Sequence, residues 1–559
     1  MEKVSEKRRD AKSALKQLAP GWIISYAVCY MLFVYEPLMM YCTNKDDFWF
    51  DFGIMAGPMT GIFAMFFLGL AAVLTGLFFL SRKFSKEAKL YRIAVLVVFL
   101  IFIALYVQGN ILVKHLPALD GSEIDWSAYT SDNIITLVVW LVLTAGLIFS
   151  IIKLDIGSFV RYAAGVSIAV FAMLNVSLVT TSVQKELFKS KNNLISTTQN
   201  FNGASSEKNF FIFMVDSQSA SEFTQVISSQ EQFRHAFDDF TYYPDTLSSY
   251  AYTRDSVPFV LSGQLNKNEE DFGDYSERAL NGSTLFKELD RRGYDLYLYD
   301  SELAWYGKKD FNIKNNPNFE NVTMKFGAFF EQEMRYVWFK YLPYAFKKVT
   351  DIEYLDFGSS IDKFDWRNDV LYKEFTSTGI SESTGAQFRF IHAEGAHVPL
   401  DMDEHMNRIE HGTYLQKTTA TAKLIAAFIE RLKENGVYDN SVIVIMADHG
   451  YQPAQGQPDN YILSRFNPIL LIKGMGEKHD LVYSDKPVSY LDLPQAYNDL
   501  LDGKQSSELF PEAEYPRTRR VIWYEIYKEE HMVEYQTDGK ATEWDKFRET
   551  GAVFDLSKK

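Results

Sequence analysis

Two adjacent polar side chains at the end of an apolar run are the first candidates for chemistry. Residues 441–451 read SVIVIMADHGY, and five of the first six are apolar and mostly β-branched. Such a run predicts a buried central strand of a layered α/β sheet. The run ends on Asp448 and His449, which are both common metal ligands. Gly450 then lets the backbone turn sharply behind them.

A second strand of the same design carries another acid. Residues 209–215 form an apolar run that ends on Asp216 and leads into a helical pattern. Two acids and an imidazole suit one divalent ion, Zn²⁺ or Mn²⁺, that accepts mixed oxygen and nitrogen ligands and leaves a position for a reactive group. The stretch 248–263, SSYAYTRDSVPFVLSG, offers the hydroxyl of Thr253. A metal-bound hydroxyl loses its proton far more easily than a free one, so Thr253 is the candidate nucleophile for attack on phosphorus.

These residues lie in a region where short strands alternate with helical patterns. Further strands are predicted at 294–299, 387–392 and 468–473, and a helix is predicted at 414–435 with a glycine at its end. The alternation predicts an α/β fold, a mostly parallel sheet covered by helices on both faces. Ligands of such sheets bind at the carboxyl ends of the strands. We therefore expect one edge of the sheet to collect Asp216, His392, Asp448 and His449.

The first third of the chain predicts a membrane region. Five apolar runs are long enough to cross a bilayer as helices, at roughly 22–42, 54–80, 93–113, 134–152 and 162–182. The first run is too long for a cleaved signal peptide and four more follow it, so we expect it to remain in the mature protein. The predicted divisions are five transmembrane helices with their tail at 1–183, a juxtamembrane linker at 184–208 and a catalytic domain at 209–559.

The charges of the short loops predict the orientation. The tail 1–19 and the loops 81–92 and 153–161 carry 13 Lys and Arg, whereas the loops 44–53 and 114–133 carry two. By the positive-inside rule the amino terminus is cytoplasmic, and five spans place the catalytic domain outside the cell membrane. If the weakest run, 162–182, did not span, the large domain would be cytoplasmic instead.

Composition narrows the partners. A net charge of −15 argues against nucleic acid as a partner. Both cysteines, Cys29 and Cys42, lie in the first predicted span, so the predicted external portion has no disulfides and relies on an ordinary core. An exported domain without cysteine favours a Gram-positive cell envelope.

The motifs together resemble the alkaline phosphatase superfamily. The resemblance rests on a strand ending in Asp216, on Thr253 five residues before Pro258, on HAEGAHVP at 392–399, and on a strand ending in ADHG at 447–450. Within the superfamily the chain is most similar to membrane-anchored phosphotransferases with a sulfatase-like domain. These include lipoteichoic acid synthase, lipid A phosphoethanolamine transferase and polysaccharide glycerol phosphate transferases.

The resemblance implies a role for each matched residue. One metal ion would be bound by the Thr253 oxygen together with Asp216, Asp448 and His449. Thr253 would carry the phospho-headgroup, His397 would contact the donor phosphate, and His392 would lie nearby. Ser249 and Ser256 are competing hydroxyls, but the spacing to Pro258 favours Thr253.

Two departures from the family pattern bear on the site. Asp216 stands where these transferases often have Glu, which shortens the arm of that ligand. No histidine lies between His449 and the strand at 468, where several members have one that binds substrate. Arg465 and Asn460 are the candidates to replace it.

Two further features have alternative interpretations. Glu36, followed by Pro37 in the first span, either faces other helices or lies near the membrane interface, because an ionisable group in lipid is costly. The stretch 334–349, MRYVWFKYLPYAFKKV, mixes aromatic and basic residues. It is equally consistent with an amphipathic helix on the membrane surface and with a buried helix of the large domain.

The predicted function is a membrane phosphotransferase that moves a headgroup from a phospholipid donor, through Thr253, to a cell-envelope glycan or lipid. Glycerol phosphate is favoured as the headgroup, and phosphoethanolamine is the alternative. Two other functions fit the same residues. One is a metal-dependent phosphodiesterase or phosphatase, and the other is a non-catalytic metal-binding envelope protein.

Overall fold

The computed structural model describes residues 2–45, 48–85, 87–113, 124, 126–189, 194–301, 311–317, 321–350, 352, 357–451, 464–511, 516–525 and 529–555. The chain packs as two compact units. The helical unit contains Met1–Lys191 and Phe319–Asp362, and the sheet unit contains Asn192–Asn318 and Lys363–Lys559. The predicted catalytic domain at 209–559 is therefore interrupted, because residues 319–362 pack with the helical unit.

The helices described are α1 (Glu2–Tyr30), α2 (Glu36–Thr43), α3 (Phe52–Phe84), α4 (Lys89–Val107), α5 (Thr130–Lys153), α6 (Ile156–Gln184), α7 (Ala220–Ser229), α8 (Thr253–Ser262), α9 (Phe272–Asn281), α10 (Thr284–Arg291), α11 (Phe326–Tyr341), α12 (Tyr344–Lys347), α13 (Asn368–Ser377), α14 (Tyr414–Glu434) and α15 (Leu493–Leu501). Two short π-helices, Met31–Tyr35 and Gln108–Leu112, continue α1 and α4.

The strands described are β1 (Gly203–Ser205), β2 (Lys208–Val215), β3 (Thr241–Tyr242), β4 (Thr246–Leu247), β5 (Tyr294–Tyr299), β6 (Ser381–Ser383), β7 (Ala386–Ala393), β8 (Ser441–Met446), β9 (Leu470–Lys473), β10 (Val482–Tyr483), β11 (Val488–Ser489), β12 (Arg519–Trp523), β13 (His531–Thr537) and β14 (Arg548–Asp555). Every strand predicted from the sequence is present, with ends that differ by two residues or fewer.

The helical unit contains the predicted apolar helices. Within the described residues, five helices are long and apolar enough to cross a membrane: Lys12–Thr43, Phe52–Phe84, Lys89–Leu112, Trp126–Lys153 and Ile156–Gln184. The prediction of five spans is confirmed in length and composition. The aromatic and basic stretch 334–349 forms the end of α11 and all of α12, and it packs in this unit rather than in the large domain.

The sheet unit is built on a mixed sheet. Among the described strands, seven form one sheet in the order β10-β3-β9-β8-β2-β7-β5. β2 runs parallel to both β7 and β8, and β5 runs parallel to β7, as the alternation of strands and helices predicts. β9 runs antiparallel to β8 and β3, so the sheet is not parallel throughout.

The continuous apolar run of β2 is explained by burial on both sides of the sheet. Phe210, Ile212 and Met214 pack into one core cluster, and the alternate residues Phe211 and Phe213 pack into another. Successive side chains of a strand point to opposite faces, so a strand covered on both faces must be apolar at every position. The first acidic side chain after this apolar run is that of Asp216, directly past the end of β2.

The longest helix of the sheet unit begins and ends at the predicted signals. Thr413 and Gln416 form a capping box before α14, in which each side chain accepts a hydrogen bond from the backbone of the other residue. Gly436, with φ of +69°, lies just beyond the end of the helix at Glu434.

Candidate metal centre and nucleophile

Three of the predicted ligands converge at the carboxyl ends of two neighbouring parallel strands. β2 pairs with β8 so that Met214 lies opposite Met446, two residues before Asp216 and Asp448 respectively. One ligand atom each from Asp216, Asp448 and His449 lies within 4.8 Å of the others, and all three side chains are buried. This is the convergence that the strand ends predict.

Backbone hydrogen bonds orient the carboxylate of Asp448. The amides of Ser217 and His449 donate to its Oδ1 at 3.0 and 2.8 Å. Its Oδ2 is buried and has no hydrogen-bond partner among the described residues. A carboxylate oxygen buried without a donor is costly unless a cation balances it, so this atom fits a metal ion.

The imidazole of His449 is presented in a form that binds metal. Its Nδ1 lies 2.7 Å from the carbonyl oxygen of Gly450, which assigns the ring proton to Nδ1 and makes Nε2 the nitrogen that carries the lone pair. Nε2 lies 3.3 Å from Asp448 Oδ2 and 3.9 Å from Asp216 Oδ1. Burial lowers the pKa of His449, which keeps the ring neutral as a metal ligand requires. The residues present therefore fit one divalent ion with oxygen and nitrogen ligands.

Thr253 lies beside these ligands. It is the first residue of α8 rather than part of the polar turn before it. Its hydroxyl oxygen is 3.3 Å from Asp216 Oδ2 and 3.5 Å from His449 Nε2. The start of a helix favours negative charge, which suits a hydroxyl that must become a nucleophile.

The competing hydroxyls are placed differently. Ser256 donates its hydroxyl to the backbone carbonyl of Asp448 at 2.6 Å, so that hydroxyl holds α8 against the end of β8. Ser249 is 1% exposed and packs away from the surface. Of the three candidates, the Thr253 hydroxyl is the one that lies next to side-chain atoms of the candidate ligands.

His392 lies at the end of β7 in a buried pair with Asp300. Its Nδ1 is 3.1 Å from Asp300 Oδ1, and its Nε2 is 3.7 Å from Asp216 Oδ2. Burial alone would lower the pKa of His392, but the carboxylates of Asp300 and Asp216 outweigh it and raise the pKa to about 9. Asp300 was not among the residues predicted from the sequence, although this acid directly follows strand β5 in the same way that Asp216 follows β2.

The segment that carries His397 is fitted tightly to Asp216. The amide of Ala396 donates to the Asp216 carbonyl at 2.8 Å. A Cβ at Gly395, where φ is +58°, would lie 2.5 Å from the Asp216 backbone, so only glycine fits there. His397 itself is partly exposed, and its ring lies 5.9 Å from the ring of Trp366. No sequence pattern marks Trp366, because it lies outside the strands.

A cluster of charged side chains bonds to the segment 394–401, which contains His397. Lys417 is fully buried on α14, and its ammonium donates to Glu394 Oε1 at 2.7 Å, to the Pro399 carbonyl at 2.7 Å and to Asp401 Oδ1 at 3.0 Å. Arg408 donates to both oxygens of Glu394 and to Asp401 as well. These cations therefore bond to residues on both sides of His397.

Arg465 lies beside the candidate metal ligands. Its Nε donates to the Ala251 carbonyl at 2.7 Å, and one terminal nitrogen is 3.2 Å from His449 Nε2. Its guanidinium also lies 4.4 Å from the centre of the Tyr252 ring. A fixed cation at this position suits a phosphate ligand, and the substrate-binding role of Arg465 stays a prediction. The other candidate, Asn460, lies outside the described residues.

A family model described as Sulfatase matches residues 208–503. No curated protein matches the chain. Among solved structures, lipoteichoic acid synthase LtaP from Listeria monocytogenes is 13% identical, over 66% of this chain and 91% of its own, with a TM-score of 0.35. The C-terminal periplasmic domain of EcEptC from Escherichia coli is 12% identical over 66% and 96%, with a TM-score of 0.34. Phosphonate monoester hydrolase SpPMH from Silicibacter pomeroyi is 14% identical over 62% and 89%, with a TM-score of 0.34. At TM-scores below 0.5, these likenesses support no inference about activity.

Proposed function

The chain belongs to the sulfatase family, and from this premise we propose that it is a membrane phosphotransferase. It moves the phospho-headgroup of a phospholipid through Thr253 to a glycan or lipid of the cell envelope. Glycerol phosphate is the favoured headgroup and phosphoethanolamine is the alternative. The amino terminus is cytoplasmic and the catalytic site is outside the cell membrane.

The observation that carries the proposal is the position of the Thr253 hydroxyl. It lies at the start of α8, 3.3 Å from Asp216 and 3.5 Å from His449, in a chain whose helical unit has five helices able to cross a membrane by length and composition among the described residues. A hydroxyl in contact with ligand atoms is placed for nucleophilic attack. A phospholipid donor gives the apolar helices a purpose, because its tails stay in the bilayer while its headgroup reacts.

Asp216, Asp448, His449 and the Thr253 oxygen would hold one divalent ion, Mn²⁺ or Zn²⁺. When bound, the ion supplies positive charge that polarises the donor phosphate and favours loss of the Thr253 proton. Arg465 and His397 would bind the phosphate oxygens and stabilise the charge that develops on them. Trp366, beside His397, would exclude water from one side of the phosphate.

The reaction has two displacements. In the first, the Thr253 oxygen attacks phosphorus, a bond from Thr253 to phosphorus forms, and the bond from phosphorus to the diacylglycerol oxygen breaks. The proton that Thr253 loses passes to the diacylglycerol oxygen, and the diacylglycerol leaves. In the second, a hydroxyl of the acceptor attacks the same phosphorus, the bond from Thr253 to phosphorus breaks, and the proton of the acceptor hydroxyl passes to the Thr253 oxygen.

The test is to trap the intermediate. The full chain in vesicles is given phospholipid donor without acceptor, and the peptide that contains Thr253 is analysed by mass spectrometry. We expect a headgroup attached to Thr253 in the wild type and in Thr376→Ala, an exposed threonine on α13, and none in Thr253→Ala. A glycerol phosphate adduct and a phosphoethanolamine adduct differ in mass and charge, so the same spectrum identifies the donor.

Two rate measurements would contradict the proposal. If Thr253→Ala transferred or released headgroup at a rate near that of the wild type, Thr253 would not be the nucleophile and the proposal would be wrong. If the wild type released free headgroup at the same rate with and without acceptor, the protein would be a phosphodiesterase of the same family.

A further inference from the structure

The two features of the sequence that the proposed function does not use meet each other in the helical unit. Glu36, at the start of α2 in the first candidate span, is 4% exposed. The ammonium of Lys340 on α11 donates to both of its carboxylate oxygens at 2.7 Å, and the Tyr341 hydroxyl donates to Oε2 at 2.9 Å. A carboxylate that would be costly in an apolar helix is thus paired with groups that come 304 and 305 residues later.

The apolar helices contact α11 closely at a glycine. Tyr341 is fully buried, and its ring packs on Gly109, where a Cβ would lie 2.4 Å from a ring carbon. Gly109 belongs to the π-helix Gln108–Leu112, and the other π-helix, Met31–Tyr35, ends directly before Glu36. Local π-helices of this kind often mark functional positions in a helix. One of them contains a residue that α11 contacts, Gly109, and the other directly precedes one, Glu36.

Another buried acid, Glu333 on α11, lies near the carboxylate of Glu36. Glu333 is fully buried, and neither carboxylate oxygen has a hydrogen-bond partner among the described residues. Burial, together with the nearby carboxylate of Glu36, raises the pKa of Glu333 to about 8. Glu333 therefore binds a proton at neutral pH. Within the same segment, Lys347 donates to the backbone carbonyls of Lys340 and Phe339 at the end of α11.

We infer that Glu36, Lys340 and Tyr341 form a clamp that fixes residues 319–362 to the apolar helices, and that these three are positioning residues for a donor held in a bilayer. The segment 319–362 is joined at both of its ends to chain of the sheet unit. The clamp therefore fixes to the apolar helices a segment whose two ends continue along the chain into the sheet unit. The second half of the inference rests on the proposed function, and the first half does not.

Hydrogen exchange tests the clamp without reference to activity. The full chain in vesicles is compared with Glu36→Gln, Lys340→Met and Tyr341→Phe, and the matched control is Glu331→Gln, which alters an exposed acid on the same helix. Breaking one partner of a buried pair is expected to speed amide exchange in 326–350 by roughly 100-fold or more. Tyr341→Phe, which keeps the ring and the ion pair, should give a rise of about tenfold or less.

The double variant Glu36→Lys with Lys340→Glu exchanges the two charges. It tests whether faster exchange in the single variants comes from loss of the ion pair or from loss of packing. It should recover at least part of the protection that each single variant loses. Unchanged exchange in 326–350 in both Glu36→Gln and Lys340→Met would overturn the clamp.

Two donors test the positioning role. With long-chain phospholipid in vesicles, kcat/KM of Glu36→Gln should fall about tenfold or more, whereas with a short-chain, water-soluble phospholipid it should stay within about twofold of the wild type. An equal fall with both donors would show a merely structural role and overturn the positioning half. A wild type that turned over neither donor would refute the proposed function, and the clamp would then be judged by exchange alone.

Discussion

Replacing Lys417 with methionine should loosen the segment that carries His397 without unfolding the sheet unit. The Lys417 ammonium is fully buried and all three of its hydrogens are used, on Glu394, Asp401 and the carbonyl of Pro399. Methionine has a similar length and no charge, so it fills the space and removes the three bonds together. Glu394 is left buried with its charge.

The size of the effect follows from the partner that remains. Removing one member of a buried ion pair typically costs about 3–5 kcal/mol. Arg408 still donates to Glu394 at 2.8 and 3.1 Å and its side chain is 31% exposed, so part of the charge stays balanced with some access to water. We therefore expect a local cost of about 2–3 kcal/mol. At 1.4 kcal/mol for each factor of ten, the segment opens about 30 to 150 times more often.

Hydrogen exchange of the full chain measures that opening. The amides of residues 394–401 should exchange about 30 to 150 times faster in Lys417→Met, while β2 and β8 keep their protection. The control is Lys433→Met in the last turn of α14, which should leave this segment unchanged. If the segment were as protected in Lys417→Met as in the wild type, the idea that buried charges hold His397 in place would be wrong.

Three other outcomes are expected. Asp448→Asn should lose the bound divalent ion, measured by elemental mass spectrometry, while circular dichroism shows an unchanged fold; a full complement of ion would contradict the ligand assignment. The folded protein binds the Glu333 proton more tightly than an unfolded chain does, so the local free energy of opening of α11 should fall as pH rises from about 4.5 to about 8 and then stay level. Hydrogen exchange corrected for its intrinsic pH dependence should show this fall in the wild type and not in Glu333→Gln. A reporter active only outside the membrane should work when fused after position 200 and fail after position 85, and the reverse would refute the orientation.

Local patterns were enough to locate the candidate ligands. Asp216 and Asp448 each follow a continuous apolar run, and in the structure each lies just past the end of a strand buried on both faces. The apolar helices follow from composition in the same way, because a run of about 20 apolar residues needs no tertiary contact to be recognised. The same logic would have found Asp300 at the end of β5, but that strand carries no second polar motif.

Pairings between distant segments could not be predicted from the sequence. The antiparallel direction of β9 depends on how the chain returns to the sheet after Met446, which no periodicity records. The pairing of His392 with Asp300 depends on the register between β5 and β7, where Tyr299 lies opposite Ile391.

The sequence by itself determined that this protein combines apolar helices with an α/β unit, and that acids and histidines meet at strand ends. These features can be recognised from short stretches of sequence, because they depend on apolar periodicity and on the residue that ends each apolar run. The tertiary structure alone decided that residues 319–362 pack with the apolar helices and that Lys340 pairs with Glu36. A buried charge is stable only next to its partner, and which partner that is depends on packing between segments that the sequence separates by 304 residues.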